Sequence, residues 1–274
     1  MKFVYFCAMI KKMLFVGFIL MSLVFASCSK YNKLLKSTDN ETKFEAAVDY
    51  FERDDYNRAL ELFDLLQAAY RGTAKGEDIS YYTAYCYYNL KDYTVASYYF
   101  KRYVQSYPQY ARAEECLFMS AYCYYLDSPR YSLDQTNTYL AINELQVFTD
   151  TYPKSERVAE ANELIDNLRK KLELKDFNIS IMYYRMRDYM AAITSFENLL
   201  KNYPDTERRE EVLQYMALAY YEFAENSIPE KKRERYESAV EAYNNLLYLY
   251  PESEYLSDLK IIDSKARQRL ESYQ

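Results

Sequence analysis

Three glycines, no histidine and no tryptophan occur in 274 residues. Glycine is the default residue wherever φ must be positive, and this few leave little room for tight β-hairpins or glycine-rich phosphate loops. That argues against β-rich folds and against dinucleotide and P-loop architectures. The missing histidine removes the commonest general base and the commonest metal ligand together. No HExxH, paired CxxC or GxSxG sequence is present, and the sequence supports no catalytic site, metal site or cofactor.

Charge divides the chain. All 41 acids follow Cys28, whereas Lys2, Lys11 and Lys12 precede it, so the part from Cys28 onward holds 32 basic side chains and a net charge of −9. Affinity for phosphate backbones rests on Lys and Arg, and this balance excludes nucleic acid as an expected partner. What the chain has in abundance is tyrosine, 35 of them, within a composition that is 50% hydrophobic at a mean hydropathy of −0.48.

Lys11-Lys12 are followed by an apolar run, Met13 to Ala26. A basic stretch and a short apolar run fit a secretory signal, and the run is shorter than the roughly 20 residues a stable membrane span needs. Phe25-Ala26-Ser27-Cys28 then resembles the lipobox of bacterial lipoproteins, with Phe25 where Leu is usual. The expected organisation is a signal peptide over 1–27 and an acylated Cys28 beginning a flexible tether over 28–40. Two acyl chains suffice for stable anchoring. Cys86, Cys116 and Cys123 lie inside helical patterns and read as small core residues rather than a disulfide framework.

The rest of the chain is periodic. Phe44-x-x-Ala47-x-x-Tyr50 recurs as Tyr81-x-x-Ala84-x-x-Tyr87, Phe118-x-x-Ala121-x-x-Tyr124, Phe177-x-x-Ser180-x-x-Tyr183 and, weaker, Gln214-x-x-Ala217-x-x-Tyr220. Steps of three and four put these residues on one helical face, and the small residue is where a second helix can approach. That helix comes next each time, at Tyr56-x-x-Ala59-x-x-x-Phe63, Tyr93-x-x-Ala96-x-x-x-Phe100, Thr138-x-x-Ala141-x-x-x-Leu145, Tyr189-x-x-Ala192-x-x-x-Phe196 and Tyr236-x-x-Ala239-x-x-x-Tyr243. Tyr-Pro pairs at 107–108, 152–153, 203–204 and 250–251 close four of the five, because the residue before proline is disfavoured in a helix. Ser155, Thr206 and Ser253 are placed to cap the next helix.

These spacings resemble the tetratricopeptide repeat, a unit of roughly 34 residues, with insertions at 127–135 and 226–233. The expectation is an all-α solenoid of about five helical hairpins. Extra helices are expected at Ala159–Leu174 and Leu256–Leu270. Repeats 1–3 with the linking helix would occupy 41–173, and repeats 4–5 with a capping helix 174–274. In an array of this type the resemblance implies a concave groove lined by Tyr85, Tyr88, Tyr122, Tyr125 and Tyr184. Tyrosine is favoured at binding hot spots.

A lipobox followed by about five such repeats, with a long helix before the fourth and Tyr203-Pro204-Asp205-Thr206 at its end, resembles the BamD-type lipoproteins of the β-barrel assembly machinery. The resemblance implies a non-enzymatic scaffold, lipid-anchored to the outer membrane on its periplasmic face. It implies as partners a BamA-like barrel protein, other assembly lipoproteins and unfolded outer-membrane proteins. A BamA-facing surface would fall near Arg185, Arg187, Arg208 and Arg209. Two alternatives remain at this point: a periplasmic tetratricopeptide adaptor such as the Tol-Pal-associated coordinator, and a glycan-binding nutrient-uptake lipoprotein.

Overall fold

The computed structural model describes residues 30–273; the signal and Cys28 lie outside them. A helical turn over 30–35 precedes eleven helices among the described residues: α1 (Asn40–Glu52), α2 (Tyr56–Leu66), α3 (Ala74–Asn89), α4 (Tyr93–Ser106), α5 (Ala113–Asp127), α6 (Thr136–Thr151), α7 (Val158–Arg185), α8 (Tyr189–Asn202), α9 (Arg209–Glu225), α10 (Pro229–Leu249) and α11 (Leu256–Glu271). Every repeat segment read from the sequence falls inside one of them. The small residues of the pattern are all buried: Ala47, Ala84, Ala121 and Ser180 are fully covered, as are Ala59, Ala96, Ala141 and Ala192, while Ala217 and Ala239 are 3% and 5% exposed. The fold is all-α and built of tetratricopeptide-type hairpins.

Two compact units divide the chain. The first runs to Ser128 and adds Asn137–Ala161; the second takes Pro129–Thr136 and everything from Asn162. The division falls within α7 rather than at 173–174. In the first unit Ala47, Ala59, Leu62, Phe63, Leu66, Ile79 and Cys86 form one core. In the second, Phe177, Ile181, Phe196, Leu199 and Val212 form another, extended by Leu213, Tyr243, Leu246 and Leu259 toward α11.

Three features differ from the sequence reading. The helical stretch at 159–174 and the first helix of repeat four are one 28-residue helix, because no proline or glycine interrupts 158–185. The insertion at 226–233 is mostly helix, since Pro229 starts α10 at its first turn, where its fixed φ and missing N–H cost nothing. The tether of 28–40 is not a free leash along its length. Residues 30–35 are helical, and Tyr31 is 9% exposed, edge-on to Tyr50. An apolar triad (Tyr31, Leu34, Leu35) on the first hairpin outweighs the polar composition of the segment.

Glycine scarcity is handled at the turns in an unexpected way. In repeats one, two and four the second residue after the first helix is left-handed without being glycine: Asp54 (φ 60°), Lys91 (φ 62°) and Arg187 (φ 63°). Each turn is closed by two backbone bonds, as in Asp92 N to Tyr87 O (3.0 Å) and Lys91 N to Tyr88 O (2.9 Å), the Schellman arrangement. The next residue is always Asp, and its carboxylate caps the second helix: Asp55 accepts from Arg58 N, Asp92 from Val95 N and Asp188 from Ala191 N. The signature (αL residue)-Asp-Tyr was present in the sequence at 54–56, 91–93 and 187–189.

A second periodic feature joins successive hairpins. A cation from the start of one repeat lies over the leading aromatic of the repeat before. Lys75 sits 5.6 Å from the Phe44 ring centre, Arg112 4.4 Å from Tyr81, Arg157 4.7 Å from Phe118, and Arg208 5.2 Å from Phe177. Such contacts contribute about 0.5–1 kcal/mol each at exposed sites. Repeat five has Gln214 at the aromatic position. The position matching Arg157 and Arg208, two residues beyond the post-proline hydroxyl, is then Tyr255. Ser155, Thr206 and Ser253 accept from the N–H two residues ahead, at 3.1, 3.1 and 3.2 Å. They therefore brace the turn entering the helix rather than cap the helix itself.

Left-handed φ costs a residue with a Cβ roughly 1–2 kcal/mol, of which glycine's looser unfolded chain returns part. Lys91→Gly is therefore expected to raise unfolding free energy by about 0.5–1 kcal/mol in urea melts. A decrease would show that the Lys91 side chain makes a compensating contact.

Candidate functional site

In the first unit, α3 and α5 carry the tyrosines expected to line a groove. Tyr85 and Tyr88 are one turn apart on α3, with ring centres 6.1 Å apart. Tyr122 and Tyr125 stack nearly parallel on α5 at 5.8 Å, and Phe118 stacks on Tyr122 at 5.8 Å. All four tyrosines are half-buried. Burial pushes the Tyr88 hydroxyl above the usual phenol range. The structure thus pairs Tyr85 with Tyr88 on α3 and Tyr122 with Tyr125 on α5, two pairs within the first unit.

Tyr85 has a partner already. Its ring meets the fully buried Phe100 edge-on at 5.0 Å, and its hydroxyl donates to Glu115. Tyr81 donates to the same carboxylate at 3.2 Å. Burial, and then the Glu115 hydrogen bond, raise the Tyr85 pKa strongly. Tyr85 is therefore committed to the repeat itself. Buried Tyr103 donates to buried Glu77, which also meets Arg112 at 3.3 Å. Sequence reasoning missed Glu77 and Glu115. The available signal was their place four and three residues before the leading aromatics Tyr81 and Phe118.

Tyr184 belongs to the second unit and to a different set of rings, Tyr189 at 5.8 Å and Tyr215 at 5.6 Å. It does not join the other four within a unit. The four arginines expected to face a partner split as well. Arg185 and Arg187 are exposed. Arg208 is spent on Phe177 and on Glu211 at 3.5 Å, and Arg209 donates to the Pro204 carbonyl at 2.6 Å. Both are tied down because the turn after Tyr203-Pro204 needs donors for its carbonyls and a cover for the leading aromatic.

The second unit also has a polar cleft of about 950 Å³ between α7 and the α8–α9 turn, lined by Arg169, Lys170, Lys171, Asp205, Glu207 and Tyr255 among others. Charges of both signs alternate around it. Among the described residues no cluster of His, Cys, Asp and Glu is arranged to hold a metal ion, and no helix is long and apolar enough to cross a membrane. Cys86, Cys116 and Cys123 are buried and free, and burial raises the Cys86 and Cys123 thiols to about 12.

The fold defines a helical-repeat protein of the tetratricopeptide type. A profile of the YfiO family, described as outer membrane lipoprotein, matches residues 36–236, and the chain belongs to that family. It is 30% identical over 81 residues to the outer membrane protein assembly factor BamD of Buchnera aphidicola, a match covering 30% of this chain and 33% of the relative. The match thus spans about a third of the length of that curated relative. Among solved structures, the TPR2AB-domain:pHSP90 complex of yeast Sti1 aligns with a TM-score of 0.40 at 11% identity, covering 85% of each chain. The P58(IPK) TPR domain aligns at 0.41 and 14%, covering 89% of this chain and 68% of that one. The C-terminal part of a TPR repeat-containing protein from Cytophaga hutchinsonii aligns at 0.30 and 16%, covering 79% and 98%. Superpositions this loose bear on no particular site.

The tyrosine shifts set an alkaline limit. Tyr81, Tyr87 and Tyr220 are raised to about 12, in each case first by burial. A group with a folded pKa above its unfolded value keeps its full stabilising effect below the unfolded value, here near pH 10, and loses it as pH rises toward the folded one. Urea midpoints are expected to hold steady through pH 9 and to fall between pH 10 and 12, with 295 nm absorbance rising together with unfolding. Tyrosine ionisation completed near pH 10 with helicity intact would contradict this.

Proposed function

We propose that the chain is a non-enzymatic scaffold of outer-membrane β-barrel assembly, acylated at Cys28 and held on the periplasmic face. On this reading it binds the periplasmic part of a BamA-like barrel protein, works beside other assembly lipoproteins, and receives unfolded outer-membrane proteins. The observation that carries the reading is the pair of half-buried tyrosine clusters in the first unit, Tyr122 stacked on Tyr125 and Tyr88 edge-on to Tyr85, in a chain of the YfiO family. Rigid tyrosine rings offer large contact area at small entropic cost, which suits an extended strand with aromatic side chains. On the second unit the exposed cations Arg185 and Arg187 are the residues available to acidic groups of the barrel protein. Arg208 and Arg209 hold their own turn and contribute indirectly.

Purification from detergent-solubilised membranes tests the assembly role. A BamA-like barrel protein in stoichiometric amount is expected; glycan-uptake barrels or Tol proteins in its place would overturn the proposal. Tyr88→Ala and Tyr125→Ala test these clusters. Each is expected to weaken binding of a C-terminal barrel-strand peptide by about tenfold, the scale of one interface hot-spot contact, with circular dichroism unchanged. Lost helicity would mean that these rings belong to the core.

A further inference from the structure

Between Cys28 and Asp39 the chain has three cations and no acid: Lys30, Lys33 and Lys36. This is the reverse of the balance in the remainder, where acids outnumber bases. Successive helical residues advance by about 100°. Over this segment that places Tyr31, Leu34 and Leu35 on one side and the three lysines on the other. The structure obeys this division. Tyr31, Leu34 and Leu35 pack on the first hairpin, and Lys30, Lys33 and Lys36 are exposed.

The inner side is pinned at several points. The Tyr31 hydroxyl donates to Glu61 at 2.6 Å and to the Arg58 carbonyl at 3.3 Å. The Arg58 guanidinium lies over both Tyr31 (5.3 Å) and Tyr50 (5.6 Å). Cys28 precedes Tyr31 by three residues, a reach of about 10 Å at full extension.

We infer that the Lys30, Lys33 and Lys36 face docks on anionic phospholipid headgroups and holds the first hairpin against the bilayer in a fixed orientation. The inference rests on the reading of Cys28 as the lipid anchor. An anchor this short keeps the lysines within about one Debye length of the headgroups, where each strengthens binding to an anionic surface roughly fivefold. Without them an acidic chain would be repelled by the same surface. The apolar side of the segment is already used by the hairpin, so it cannot insert as an amphipathic helix does. The contact is one of headgroup charge, and it is salt-sensitive.

The test uses the protein purified from membranes and reconstituted in vesicles, either phosphatidylcholine alone or with one quarter phosphatidylglycerol. A membrane-impermeant amine-acetylating reagent, read by peptide mass, gives the modification rate of each lysine. With anionic lipid at low salt, Lys30, Lys33 and Lys36 are expected to react several-fold more slowly than in neutral vesicles. The protection should vanish at high salt, and exposed Lys91 and Lys231 should not change. Equal rates in both vesicles would overturn the inference. The same spectra report whether Cys28 is acylated, so failure of the anchor is seen separately. A chain without acyl chains is assayed by vesicle sedimentation: preference for anionic vesicles, lowered roughly a hundredfold by the triple change K30Q/K33Q/K36Q with an unchanged thermal melt, supports the lysine face. No preference overturns it.

Discussion

Two helices can form a hairpin here only where a residue with almost no side chain lets their backbones close, and the rest of the structure is arranged around those points. Ala47, Ala84, Ala121 and Ser180 on first helices, and Ala59, Ala96, Ala141 and Ala192 on second helices, are entirely covered. Around most of them a ring one turn away fills the space the small residue opens, while Thr138 and Leu145 flank Ala141. Most of those rings are tyrosines, so their hydroxyls must find acceptors at the rim of an apolar interior. Carboxylates supply them: Glu77 for Tyr103, Glu115 for Tyr81 and Tyr85, Asp176 for Tyr203, Glu197 for Tyr220 and Glu225 for Tyr236. The acidic composition is in part the complement of the tyrosine content.

The same economy governs how hairpins succeed one another. A cation from the segment that follows lies over each leading aromatic, at Phe44, Tyr81, Phe118 and Phe177. Repeat five, with Gln214 in place of the ring and Tyr255 in place of the cation, lacks both partners together. Instead α11 supplies Leu259 and Ala266 to the second unit's last cores. In this way α11 covers the core beneath α9 and α10, as a capping helix does in a repeat array.

The consequence is a division between rings tied to the repeat through a hydroxyl bond and rings that stack on one another. Tyr85 and Tyr103 have their hydroxyls committed and sit against the core, whereas Tyr122 and Tyr125 stack face to face on α5. The N-terminal segment is two-sided, with its apolar side on the hairpin and its lysines outward.

By itself the sequence determined the helices, their pairing and the identity of the close contacts, since those depend on spacing along one chain: small residue, ring, proline. It also carried the (αL residue)-Asp-Tyr turns and the order of cations and rings, which are legible once the period is known. Tertiary structure alone decided which rings are spent. Whether Tyr85 reaches Glu115, whether Arg208 covers Phe177, and whether Tyr31 folds back on Tyr50 depend on residues about 20 to 40 positions away. It likewise decided that Tyr184 belongs to other rings than Tyr88 and Tyr125, and that α7 runs unbroken through a boundary the repeat pattern suggested. A helical period says which face a side chain is on; only packing says what is waiting there.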